Sequence, residues 1–192
     1  PERVDKYNKA VQNITRLLQE MGDAQGQGTR RQGTRGQGTQ GQGRQGTPDP
    51  LQRFIDAQVN GDGHGSTYEI ALHEMQTNEK KRTDWIWYCF PQFLGQGQSV
   101  HSKKYQIQDA SEAIAYFQND ALRDRYIDLS KAVLQALLQA VADGIPNPLL
   151  HVMSKQIDVD KLHESVSLFF LVAQHLNDAE VHQHLKVFRS KD

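Results

Sequence analysis

The stretch DALRDRYIDLSKAVLQALLQAVADGIP, residues 120–146, decides the fold. Leu122, Tyr126, Leu129, Val133, Leu137, Leu138 and Val141 recur in it at mainly helical spacing. That pattern lays one apolar stripe along one long helix. Gly144, then Pro146 and Pro148, end it. Asp120 sits at its start, where a carboxylate meets the unpaired N–H groups of the first turn.

Upstream, Asp109-Ala-Ser-Glu112 has the form of a capping box and opens a helix carrying Ala113, Ile114, Tyr116 and Phe117. Further back, Asp49-Pro50 starts a helix with Leu51, Phe54, Ile55 and Gln58 on one side. Gly61, Gly63 and Gly65 break it. Tyr68, Ala71, Leu72 and Met75 make the next stripe. Glu79, Lys80, Lys81 and Arg82 then read as a solvated charged corner.

Downstream, Leu149, Leu150, Val152 and Met153 suggest another helical turn or two. Asp158 or Asp160 is expected to cap a helix bearing Leu162, Val166, Phe169, Phe170 and Ala173. A last helix should run from about Asp178 to Phe188. Almost nothing alternates with period two, so strands should be few or absent. The expectation is an all-α fold: one compact domain of about seven helices over residues 48–192.

Two segments precede that domain. Residues 24–47 hold eight Gly, seven Gln, four Arg and four Thr, in a ragged QGT/RGQ repeat. Without apolar side chains larger than Ala, such a segment has nothing to offset the entropy of ordering, and reads as a flexible linker. Residues 1–23 hold Val4, Tyr7, Val11, Ile14, Leu17 and Leu18 at helical spacing, an amphipathic helix. A lone helix of this length is marginal in water. Its stripe must therefore bury against the main domain, another copy or a partner.

Composition excludes several classes. Of 192 residues, 22 are Lys or Arg and 23 Asp or Glu, a net charge of −1. The linker is locally basic, but the main domain is acidic, which disfavours a nucleic-acid groove on it. One cysteine, Cys89, excludes an intrachain disulfide and a cysteine-based zinc cage. Its neighbours Tyr88 and Phe90 suggest an inert core thiol. The longest apolar run, Val166 to Ala173, is far short of the roughly 18 residues of a membrane span. No signal-peptide pattern opens the chain, so a cytoplasmic location is expected. His182 and His184, two apart, cannot share one helix face, and no metal site or cofactor is expected.

The unusual segment is Asp84-Trp-Ile-Trp-Tyr-Cys-Phe-Pro-Gln-Phe93, with five aromatics between Trp85 and Phe93. It reads as a helical turn or two ended by Pro91. Gly95-x-Gly97-x-Ser99 then forms a turn feeding a helix start, with Ser99 or Ser102 as cap.

These residues resemble the domain-of-unknown-function family 1810, small helical bacterial proteins. The resemblance is carried by Asp49-Pro50-Leu51, Arg53-Phe54, Ala57-Gln58 and Tyr68, and above all by Trp85-x-Trp87 with Phe90-Pro91-Gln92. Gly95, Gly97, Ser99, Ser102, Tyr105 and Asp160-Lys161-Leu162 continue it. It covers about residues 49–188 and implies a single all-α domain, with no known activity.

The candidate pocket is a small-ligand or nucleotide-like site walled by Trp85, Trp87 and Gln92, with Ser99 and Lys161 nearby. Indole faces stack flat ligands, and a buried amide must find partners. No catalytic residue is identified. The rival reading is a protein-interaction module, in which residues 1–23 on their flexible arm bind a protein partner or mediate self-association.

Overall fold

The computed structural model describes residues 49–63, 65–95 and 97–189, together with residues 12, 15, 16, 18 and 19. The repeat linker and most of the outlying helix lie outside the described residues. Residues 12, 15, 16, 18 and 19 are helical, and Leu18 is buried within the domain's apolar core cluster.

Nine helices are described: α1 (Gln52–Asn60), α2 (Tyr68–Asn78), α3 (Ile86–Cys89), α4 (Val100–Tyr105), α5 (Ala110–Gln118), α6 (Asp120–Ala142), α7 (Pro148–Met153), α8 (Gln156–His175) and α9 (Ala179–Arg189). Five helix starts have a side chain that takes up a first-turn N–H. Thr67 accepts from Ile70, Ser99 from Ser102, Asp109 from Glu112, Asn119 from Leu122 and Asp178 from Val181. Gly144, at φ 69°, turns the chain out of α6 in a conformation that other residues rarely adopt.

The long helices α6 and α8 carry the core between them. Leu122, Tyr126, Leu129 and Val133 of α6 and Leu162, Val166, Phe169 and Val172 of α8 are all buried. Phe169 lies 5.0–5.1 Å from Tyr116 and Phe117 of α5 and 4.7 Å from Tyr126, one aromatic knot joining three helices. The α6 stripe thins toward its end: Leu138 and Val141 are about half exposed, because the helix outruns the core there.

The one-turn helix α3 sits in the middle and is packed by α1, α4, α6 and α8. Pro91 follows it, as the sequence suggests. Beyond Pro91 the backbone is extended, and an isolated parallel bridge joins Phe93 to Ile107. The Ile107 N–H donates to the Gln92 carbonyl at 2.8 Å, and Leu94 N–H to the Ile107 carbonyl at 2.8 Å. It is the one β pairing among the described residues.

Two sequence expectations need correction. The corner at 79–82 is not wholly solvated, because Lys81 is only 4% exposed. Its N–H donates to the Val152 carbonyl and its carbonyl accepts from Ser154, so the corner is stitched to α7 and the residue that ends it. Neither Asp158 nor Asp160 caps α8. The helix starts two residues before Asp158, with Lys155 at the cap position, and Asp158 turns inward from the first turn. No described helix is long and apolar enough to cross a membrane.

Candidate functional site

Helix α3 presents its two tryptophans differently. Trp85, at the cap position, is fully buried. Its indole N–H donates to Glu74 of α2 at 2.8 Å. Glu74 also accepts from the backbone N–H groups of Arg82 and Thr83. Burial alone would raise the Glu74 pKa, but the hydrogen bonds from Arg82, Trp85 and Thr83 outweigh it and hold it below 4.5.

Trp87 is half-buried and faces α4 and α8. His101 of α4 stacks on it, centroids 4.8 Å apart at 27°. Lys161 of α8 places its Nζ 4.5 Å from the ring centroid. The Trp87 indole N–H is buried and has no hydrogen-bond partner among the described residues. A buried unmet donor costs roughly 1–3 kcal/mol, so such groups are rare in folded proteins.

Beside this ring lies a buried charge cluster. Asp158 takes Lys81 Nζ on one carboxylate oxygen at 2.8 Å and Lys161 Nζ on the other at 3.2 Å. All three side chains are less than a tenth exposed. Lys81 also lies over Trp85, its Nζ 5.3 Å from the ring centroid. Burial lowers the pKa of Lys161 against the pull of Asp158, and the charge of Lys81 lowers it further. Reading Asp158 as a helix-start carboxylate therefore missed its role. It lies on the same face as Lys161, Leu162 and Ser165, and a charged residue inside an apolar stripe was the available signal.

The five sequence-derived residues are spread over α3 and its cap (Trp87, Trp85), the segment after it (Gln92), the start of α4 (Ser99) and α8 (Lys161). Trp87 and Lys161 are in direct contact. Gln92, 8% exposed, donates its side-chain amide to Glu164, one turn beyond Lys161 on α8. Trp85 lies in the core with its indole N–H already engaged. Ser99 caps α4, the helix carrying His101, and its hydroxyl also bonds that of Ser102 at 2.9 Å. Gly97 makes this turn possible, since a Cβ there would sit 2.2 Å from that of Ser102. His101 Nε2 lies 3.2 Å from the Asp62 carboxylate, which also pairs with Lys104.

Other candidates resolve as structural. Cys89 is buried, and burial pushes its thiol pKa far up, so it is inert. His184 Nε2 meets Ser130 at 2.8 Å, while the Ser130 hydroxyl donates to the Ile127 carbonyl. Among the described residues no group of three or more His, Cys, Asp or Glu could hold a metal ion. An apolar cavity of about 290 Å³ lies on a different face of α8, lined in part by Leu137, Val141, Leu149, Val159 and His163. None of the five residues lines it.

Residues 48–191 match the model of a family described as protein of unknown function, DUF1810. A similar solved structure is the conserved hypothetical protein Rv1873 from Mycobacterium tuberculosis, 27% identical. The likeness covers 72% of this chain and 86% of that one, with a TM-score of 0.55. No curated protein matches the chain significantly.

Proposed function

Since this chain belongs to the DUF1810 family, which brings a fold and no activity, we propose from the site alone that the domain binds a flat, acceptor-rich anionic small molecule of nucleotide-like character against Trp87. The observation that carries this reading is the Trp87 indole. Its N–H is buried and unmet, while its ring lies beside a buried ammonium. A ligand acceptor would satisfy the N–H, an aromatic ligand face would take the position His101 occupies, and Lys161 would meet negative charge. Gln92, tied to Glu164, stands on the same side of α8 to read a polar edge.

Thermal shift of the full chain against nucleotides, dinucleotides, ADP-ribose and sugar phosphates tests this. A ligand at 100-fold its Kd adds about 2.7 kcal/mol of stability, a rise of several degrees for a domain of this size. Gln92→Ala should keep the fold and lose the shift. A flat response from well-folded protein across the panel overturns the reading.

A second reading, an interaction module built on residues 1–23, has one observation against it. Leu18 is 4% exposed within the domain's core cluster. That favours self-packing of the arm over capture of an outside partner.

A further inference from the structure

Two buried ammonium groups share one carboxylate beside Trp87, and the sharing is unequal. Asp158 holds Lys81 at 2.8 Å and Lys161 at 3.2 Å. Lys81 is pinned from its own backbone to α7 and covers the face of Trp85. Lys161 is the second cation on an anion already engaged, and its amine is the one next to the half-buried indole.

We propose that Lys161 is a covalent site, whose amine condenses with the carbonyl carbon of a flat aldehyde or ketone held against Trp87. The proposal rests on the ligand-binding reading above and names the reacting class of that ligand. A lysine becomes nucleophilic when it is desolvated or placed beside another cation. Lys161 meets both conditions, and its lowered pKa follows from them, burial first, then Lys81, against the opposing pull of Asp158 and Asp84.

The step balances without any co-reactant. The Nζ lone pair forms a bond to the carbonyl carbon, and the C=O π electrons move to oxygen. One N–H proton moves to that oxygen, giving a carbinolamine. The second N–H proton and the hydroxyl then leave as water, and the nitrogen lone pair forms C=N. Nothing is oxidised or reduced. Asp158, 3.2 Å from Nζ, is placed to take a proton from nitrogen and return one to the leaving hydroxyl.

The test uses 4-formylbenzoate as the flat anionic aldehyde, the full wild-type chain, and cyanoborohydride to trap any imine, with peptide mass mapping. The expected result is a carboxybenzyl group at Lys161 at several-fold higher occupancy than at the exposed Lys131 and Lys186. Lys161→Gln should lose that adduct, and the wild-type map stands even if this variant folds poorly. Labelling of Lys131 and Lys186 with Lys161 untouched overturns the proposal. A parallel thermal shift with 4-(hydroxymethyl)benzoate, which lacks the carbonyl, separates the two readings. Stabilisation by this alcohol without labelling of Lys161 leaves the binding site standing and removes the covalent step. With neither stabilisation nor labelling, both fall.

Discussion

The indole N–H of Trp85 donates to the carboxylate of Glu74 at 2.8 Å, and this bond fixes the start of α3 against α2. Glu74 answers three donors at once, two of them backbone N–H groups of the 82–83 corner. Glu74→Gln removes the charge and one acceptor, and should cost about 2–4 kcal/mol at neutral pH. The pH dependence has a definite sign. The folded-state pKa of Glu74 lies below 4.5, so its stabilisation is present above 4.5 and is lost as pH falls through the lowered value. Urea unfolding at several pH values should show the gap between wild type and Glu74→Gln closing as acid is added. A gap that stays constant down the acid range would contradict this assignment.

Trp87→Phe separates binding from folding. Phenylalanine keeps an aromatic ring beside His101 and Lys161 and removes the unmet N–H. Stability should be unchanged or higher by about 1 kcal/mol. Any ligand shift seen with the wild type should shrink or vanish. If Trp87→Phe melts several degrees lower, the indole N–H has a structural partner in solution, and the site loses its main support.

The two lysines should respond unequally to removal. Lys81→Met leaves Asp158 with only its longer contact, and breaking a buried pair costs about 3–5 kcal/mol. Lys161→Met leaves Asp158 paired with Lys81 and should cost far less. The folded pKa of Lys161 lies below 10.5, so burial of this amine opposes folding at neutral pH. Its contribution is most favourable above 10.5 and is lost as pH falls through the lowered value. Chemical denaturation should therefore show wild type gaining on Lys161→Met as pH rises toward 10.5. Equal losses for the two variants at neutral pH would make Lys161 as essential a partner of Asp158 as Lys81, against the unequal sharing.

The helices were legible because most carry their own period and several their own cap. Asp109 with Glu112, Asp120 at the start of the α6 stripe, and Ser99 before α4 are local signals read within four residues. The aromatic turn and its stop at Pro91 were legible for the same reason. The charge cluster was not. Lys81 sits among charged neighbours that do face water, and only its stitching to Val152 and Ser154 takes it inside. Asp158 looked like a cap, but α8 begins at Gln156 and its cap position is Lys155, three residues before Asp158. The Phe93–Ile107 bridge also joins residues that no periodicity relates. Of the proposed site, Trp87, Gln92 and Lys161 were candidates already in the sequence. That Trp85 is closed off by Glu74 depends on the approach of α2, which the sequence does not encode locally.

Leu18 decides whether the outlying helix belongs to the fold. It is 4% exposed, inside the core cluster, while its neighbour Gln19 is exposed. Leu→Ala at a buried position costs about 2–5 kcal/mol, depending on how far the site collapses. For a domain of this size each kcal/mol lowers Tm by roughly 2–4 °C. Leu18→Ala in the full chain should therefore melt well below the wild type, whereas Gln19→Ala should stay within about 0.5 kcal/mol. In sequence, 24 residues rich in glycine and glutamine separate residues 1–23 from the domain. Docking of Leu18 competes with the entropy of closing that loop. If docking is weak, the helix detaches before the domain melts, and Leu18→Ala shifts Tm by no more than Gln19→Ala. That outcome would return the stripe of Val4, Tyr7, Val11, Ile14, Leu17 and Leu18 to an outside partner or a second copy. Sedimentation of the wild-type chain then distinguishes those two, since only a second copy raises the mass of the purified protein.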